Sequence, residues 1–406
     1  MCDKINSKRD YSSLVILLSA VYMVSYITRV NLAAIVSEVE AASGIARSSL
    51  SLALTASFIS YGTGQVLSGY LGDKISPKLE VAIGLLLTSM MNIAMPLCKD
   101  AVAMTVIWCV NGFAQSLTWP PIVKIMAARL ADDDFKRATT SVSLFSTVGS
   151  VSVYLCAPLI ITLLNYKWVF VIAGICGLLM FSAWLLFAKD AKKEKRMDAP
   201  TVKKGKSYNI FTPLAILLLI ATAMQGALRD GVTTWTPTYI SDTFSLGSSI
   251  SILSGVVLPL FAMVSVYVTS RAYRSSGLNP ITLAGMIFLG ASVFAALLFV
   301  FGEETAILSV LLSALLTASM HAINFLLIGM VPGLLARYSN ISFLSGVINS
   351  ATYVGSALST YGIALLSENY GWQMTIGIWV AIAAAGAAIC LFVARPLKAS
   401  IDTAEE

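Results

Sequence analysis

The sequence predicts an all-α membrane protein: twelve transmembrane helices in two pseudo-symmetric six-helix halves. Three observations carry this. Of the 406 residues, 57% are hydrophobic and 12% are charged, about half the charge of an ordinary soluble domain. Twelve spans of about 20 residues would occupy roughly 240 residues, close to the apolar share. The basic residues gather on alternate loops, which is a topology signal rather than a nucleic-acid footprint. No catalytic domain is expected outside the bilayer, and no nucleic-acid partner despite the formal charge of +6.

Apolar runs bounded by charges, Gly or Pro lie at about 12–36, 50–71, 79–97, 101–127, 138–164 and 168–188, then at about 211–240, 249–270, 280–301, 306–335, 342–366 and 373–394. Each is long enough for a helix, which satisfies its own backbone in lipid. The first run follows a polar stretch, Met1 to Asp10, and exceeds a signal-peptide core, so an uncleaved first span is expected. The halves are expected at 1–188 and 211–406, joined by a basic linker at 189–210 that reads as a solvated tether drawn toward anionic headgroups. With the N-terminus inside, twenty-two Lys and Arg fall on inside segments and three (Arg47, Lys99, Lys167) outside. Both termini are therefore expected in the cytoplasm of a cell inner or plasma membrane, with the lipid bilayer as partner. Asn165-Tyr166-Lys167-Trp168 recurs as Asn369-Tyr370-Gly371-Trp372, and Arg29 recurs as Arg229, at offsets of 204 and 200. Nearly equal offsets point to a duplicated six-helix unit. The six cysteines show no C-x-x-C spacing, so no disulfide framework and no metal site are expected, and the chain is expected to be a monomer.

A guanidinium inside a span is costly and asks for a partner or an aqueous cavity. Arg29 lies 17 residues beyond Ser12 and Arg229 lies 18 beyond Phe211, so at about 1.5 Å per residue they reach similar depths and in a pseudo-symmetric bundle would face one cavity. Tyr22, Tyr26 and Arg29 share a helix face, as do Gln225, Arg229, Thr233 and Thr236. Two forked guanidiniums suit a tetrahedral oxyanion or a carboxylate. Asp230 follows Arg229, rotated by about 100°, and three roles stay open: binding a cation or proton, pairing with a cavity group, or lowering the local positive field. His321, with Asn324 one turn later, reads equally as a packing residue or a proton carrier. Further polar candidates at four-residue spacing are Tyr61 and Gln65, then Asn111, Gln115 and Trp119, then Asn349 and Tyr353; interhelical hydrogen bonding explains any of them equally well. No G-x-S-x-G, H-E-x-x-H or P-loop motif occurs. A non-enzyme driven by a gradient, with no cofactor, is expected.

Gly69-Tyr70-Leu71-Gly72-Asp73-Lys74-Ile75-Ser76-Pro77-Lys78 resembles the loop signature of the major facilitator superfamily, departing at Ser76 and Pro77. Asp73, Lys74 and Lys78 are expected to form a cytoplasmic conformational latch, and the degenerate counterpart keeps Arg271 and Arg274. More specifically, Tyr22-x-x-x-Tyr26-x-x-Arg29-x-Asn31, Trp119-Pro120-Pro121 and Arg229-x-Gly231-x-x-x-Trp235-x-Pro237-Thr238-Tyr239 are similar to the organophosphate to phosphate antiporter family. The resemblance implies that Arg29 and Arg229 bind the phosphate group and that the halves rock about it. It also departs. Val30 and Gln65 stand where glycerol-phosphate members carry lysines, and Phe145 to Val148 holds no histidine.

The expected function is a secondary active transporter of a small organic anion, a phosphorylated metabolite exchanged for inorganic phosphate by alternating access. A proton-coupled symporter of an organic carboxylate or phosphonate, and a transporter-like ligand sensor, are the alternatives. Substrate-binding residues are expected to be Arg29, Arg229, Tyr22, Tyr26, Gln65, Gln225, Trp119, His321, Asn324 and Tyr353, with Asp230 and His321 as coupling candidates.

Overall fold

A computed structural model describes residues 8–71, 75–188, 212–331 and 341–402. Helices make up its regular structure, and backbone contacts divide the chain into two compact units: Met1–Asp198 with Gly247–Val256, and Ala199–Leu246 with Val257–Glu406. The first unit contains α1 (Lys8–Ala34), α2 (Val36–Ser43), α3 (Arg47–Leu71), α4 (Pro77–Ala94), α5 (Ala101–Ser116), α6 (Trp119–Arg129), α7 (Asp132–Leu163), α8 (Lys167–Phe187) and α10 (Ser248–Ser254). The second contains α9 (Pro213–Phe244), α11 (Val257–Ser276), α12 (Pro280–Phe301), α13 (Ala306–Asn324) and α14 (Ile341–Asp402).

Local chemistry sets the helix starts. Ser76, Thr212 and Asn279 each cap a helix whose next residue is proline, and Asp100 and Thr305 cap α5 and α13 through their side chains. A cap oxygen satisfies a free amide, and proline at the first helical position has none to lose. Among the described residues, ten stretches are long and apolar enough to cross a bilayer. One of them, Val347–Ala394, has 48 residues, twice what a span needs. It is interrupted at Gly371, whose φ of 78° and ψ of 174° no helix contains, so it supplies two of the twelve expected spans. That glycine stands in the second copy of the Asn-Tyr-x-Trp repeat. The 25-residue α3 is also long enough, but six serines and two threonines make it less apolar than the rest.

The expected fourth span is broken. It ends at Ser116 and restarts at Trp119, whose two following residues are prolines. Proline cannot donate inside a helix, so the pair belongs in a first turn. The expected tenth span also changes character, since α13 passes at Asn324 into a π-helical turn over Phe325–Met330.

In the second unit, α9 and α14 touch backbone to backbone. A Cβ at Gly226 would collide with the Thr352 carbonyl, and a Cβ at Gly355 with the Ala223 carbonyl. This approach carries Ser356 onto α9, where its hydroxyl oxygen lies 3.2 Å from Gly226 O. In the first unit, Gly149 of α7 lies as closely on Met23 O and the Tyr26 Cβ of α1.

Gly226→Ala and Gly355→Ala should each lower the thermal midpoint of the purified protein, at a cost of about 1–3 kcal/mol for overpacking. Gly290→Ala on α12, where nothing lies within 4 Å of the added atom, should leave the midpoint within a degree or so, at the scale of surface substitutions. Equal midpoints for all three would remove the close approach as a determinant of the second unit.

Candidate anion-binding site

In the first unit the expected cluster assembles around Arg29 of α1. Its guanidinium carbon lies 4.0 Å from the centroid of the Tyr61 ring on α3 and 5.8 Å from that of Tyr26. Tyr61 is only 5% exposed, and its hydroxyl accepts from Gln65 Nε2 at 2.8 Å. Tyr26 meets Tyr22 edge to face at 5.2 Å, and Tyr22 lies 4.8 Å from Trp119. Ring faces attract a guanidinium by about 0.5–2 kcal/mol.

Behind this face a buried polar network fixes α1. Thr28, the residue before Arg29, accepts through its backbone oxygen from Asn92 Nδ2 at 2.9 Å and Asn111 Nδ2 at 3.2 Å. Gln115 Nε2 donates at 2.8 Å to the hydroxyls of both Thr28 and Thr88. Ser25 donates to Gln115 Oε1 at 2.5 Å, Asn31 to Asn92 Oδ1 at 2.7 Å, and Thr88 to Asn111 Oδ1. All seven side chains are buried. Asn111 and Gln115 thus tie α1, α4 and α5 together, the interhelical role that four-residue spacing left open.

The second unit treats its arginine differently. Arg229 donates from Nε to Asp230 Oδ1 at 2.8 Å and from Nη2 to Asp230 Oδ2 at 2.7 Å, a forked pair between neighbours. Nη1 donates to Asn324 Oδ1 at 2.9 Å, on the last residue before the π-helical turn. Ser356 Oγ of α14 donates to Asp230 Oδ2 at 2.6 Å. The two charged side chains are 12% and 19% exposed. Asp230 is thus paired with the arginine that precedes it.

Other expected residues divide. His321 lies on α13, one turn before Asn324. Gln225 is fully buried and donates to Met320 O at 2.9 Å, its Oε1 having no partner among the described residues. Thr233 and Thr236 donate to Arg229 O and Val232 O of their own helix, so neither hydroxyl is turned to the guanidinium as the shared face had suggested. Tyr353 is half-buried and, three residues before Ser356, shares its helix face. Lys78 is the second residue of α4, and its backbone oxygen accepts from Trp184 Nε1 at 2.9 Å. Asp73 and Lys74, the rest of the expected latch, lie outside the described residues. In the family-like motif of α9, Trp235 and Tyr239 are buried and donate to Thr360 O and Gly302 O, so they pack the helix.

Two residues were missed. Ser356 carried no signal beyond its place on the face of Asn349 and Tyr353. Glu80, in the first turn of α4, carried no signal either; it is buried, accepts from Ser68, and keeps its Oε2 without a partner among the described residues.

The profile of the Major Facilitator Superfamily matches residues 18–360. The chain belongs to this superfamily. A glycerol-3-phosphate transporter of Bacillus subtilis is 25% identical over 227 residues, 49% of this chain and 50% of its own length. The chain thus matches about half of that relative. The membrane sensor protein UhpC of Salmonella typhimurium is 22% identical over 433 residues, covering 95% of this chain and 91% of its own. These relatives fit the organophosphate to phosphate antiporter resemblance. The solved structure of a bacterial homologue of the human lysosomal transporter Spinster superposes with a TM-score of 0.80 at 12% identity, covering 96% of this chain and 98% of its own, which shows the fold. The superfamily member is a multi-pass membrane transporter and not an enzyme.

Arg29→Lys and Arg229→Lys keep charge and lose the fork, so each should weaken anion binding by at least about 1.5 kcal/mol, the lower range for a charged hydrogen bond. Tyr61→Leu should cost less, about 0.5–2 kcal/mol, by removing a ring face under Arg29. Equilibrium binding of labelled phosphate to purified variants checks the order. Near-normal affinity in both lysine variants would remove the arginines from the site.

Proposed function

We propose that this transporter exchanges a phosphorylated metabolite for inorganic phosphate by alternating access, with Arg29 and Arg229 as the anion-binding groups and both termini in the cytoplasm. The carrying observation is Arg29, held in a span against Tyr61 and Tyr26 and immobilised from behind by the Thr28 network. A guanidinium inside a span is costly and by default marks a ligand or ion pathway. The glycerol-3-phosphate transporter among the relatives supplies the substrate class, and Arg229, with a second guanidinium at matched helix depth, supports it.

The full-length match to a protein named a membrane sensor favours one second reading, in which ligand binding is reported to a partner with little flux.

Both readings are separated in proteoliposomes. Phosphate loaded inside should stimulate uptake of labelled phosphate and of glycerol 3-phosphate or a hexose phosphate at least about tenfold over empty vesicles, the factor that distinguishes exchange from slow return of the empty carrier by about 1.4 kcal/mol. Unlabelled phosphate esters should compete with labelled phosphate. Binding with no stimulated uptake supports the sensor, and competition by monocarboxylates alone overturns the phosphate assignment.

A further inference from the structure

Among the described residues Glu80 is the one acidic side chain that the protein buries, at 1% exposure. It stands in the first turn of α4, and its Oε1 is bonded to the hydroxyl of Ser68 near the end of α3, itself 1% exposed. Its Oε2 has no hydrogen-bond partner among the described residues. We propose that Glu80 is a proton-binding site: its carboxyl holds a proton at neutral pH while α3 and α4 are packed together, and releases it to water when this end of the first unit opens. The site is separate from both arginines and does not rest on the anion-transport reading.

A buried carboxylate needs a cation or several donors, and without them its charge is costly. Glu80 has a single neutral hydroxyl. Ionised, it would hold a bare charged oxygen in the interior. Protonated, it has one donor and otherwise neutral acceptor sites: Oε1–H donates to Ser68 Oγ, and Oε2 remains a carbonyl oxygen, which tolerates isolation far better than a charge does. The residues that follow on α4, Val81 and Leu85, belong to an apolar cluster with Ile122 of α6 and Trp184 of α8. Of the helices packed against α4, α5 brings no charged side chain. α8 has only Lys167, far from Trp184, whose Nε1 meets Lys78 O at the start of α4. α1 brings Arg9, Asp10 and Tyr11 to this end, α6 brings Lys124 and Arg129, and α4 itself brings Lys78. None of these is bonded to Glu80 among the described residues, and Arg9, Asp10 and Lys124 are exposed. Opening reverses the balance, because a glutamate in water is ionised at neutral pH. The packed arrangement therefore binds one proton more than the open one, so it is favoured as pH falls and opens more readily as pH rises.

The test uses the full chain in lipid nanodiscs. At neutral pH its infrared spectrum should contain the carbonyl stretch of a protonated carboxyl, separate from the carboxylate bands. Glu80→Gln should abolish that band, and Asp230→Asn, which removes an ion-paired carboxylate, should keep it. Ser68→Ala should move the band to higher frequency, because the carboxyl loses the oxygen it donates to. Hydrogen exchange over residues 61–71 and 77–88, corrected for its intrinsic pH dependence, reads the opening. In wild type, protection should fall about tenfold per pH unit between about pH 5 and pH 7, the slope of one released proton. In Glu80→Gln it should be independent of pH. A wild type without the band, a band that survives Glu80→Gln, or one that Ser68→Ala leaves in place overturns the proton site, and an unchanged pH slope in Glu80→Gln overturns its release on opening. Glutamine keeps the shape and neutrality of the protonated acid, so this variant should fold; should it not, the wild-type band and its shift in Ser68→Ala still decide the matter.

Discussion

A guanidinium at mid-span must be stabilised without being switched off, and the local architecture around both arginines follows from that requirement. Leaving such a cation in hydrocarbon costs several kcal/mol, and full neutralisation by a rigid carboxylate would leave nothing to attract a substrate. The duplicated halves meet the problem in two ways. Arg29 lies over the faces of Tyr61 and Tyr26, an interaction that lowers the cost of holding the cation in a span. Arg229 is forked by its neighbour Asp230, an ion pair that offsets the charge.

Holding these groups still takes more structure than the groups themselves. Around Arg29 the seven-residue network from Ser25 to Gln115 satisfies nearly every polar group it buries, which a low-dielectric interior demands. It joins three helices at the level of Thr28, so the backbone before Arg29 cannot drift. Around Arg229 the equivalent rigidity comes from steric contact. Gly226 and Gly355 let α9 and α14 meet at their backbones, and the hydroxyl beside Gly355 then falls on Asp230. Small residues at a helix interface do in lipid what a hydrophobic core does in water.

The spans and the break at Gly371 were legible because each depends on local chemistry: apolar length, and bounding charges, glycines and prolines. The face shared by Tyr22, Tyr26 and Arg29 was legible for a similar reason, since residues three or four apart lie on one side of a helix. The Arg229–Asp230 pair was not. A helical wheel treats side chains as radial spokes and separates neighbours by about 100°, whereas an arginine with four rotatable bonds curls around the helix to meet the next residue. Nor could spacing show that Asn111 and Gln115 turn toward Thr28 and Thr88 instead of a ligand, because both readings put them on one face. Ser356 and Glu80 stayed invisible because their importance comes from the helix packed against them.

The asymmetry bears on the charge that each half presents. The Arg229–Asp230 pair carries no net charge, so the second half presents less positive field at this pair than the sequence repeat of Arg29 suggests. Substrate selectivity shifts with it. Val30 beside Arg29 and Gln65 beside Tyr61 add no positive charge of their own. A ligand that binds the Arg229 fork therefore gains the full bidentate interaction only after displacing a carboxylate of nearly the same shape. Selectivity then turns on how much better than a carboxylate the ligand fills that fork, and a third oxygen, which phosphates, phosphonates and sulfonates have and carboxylates lack, is the group that can reach toward Nη1 and contest the Asn324 contact at 2.9 Å.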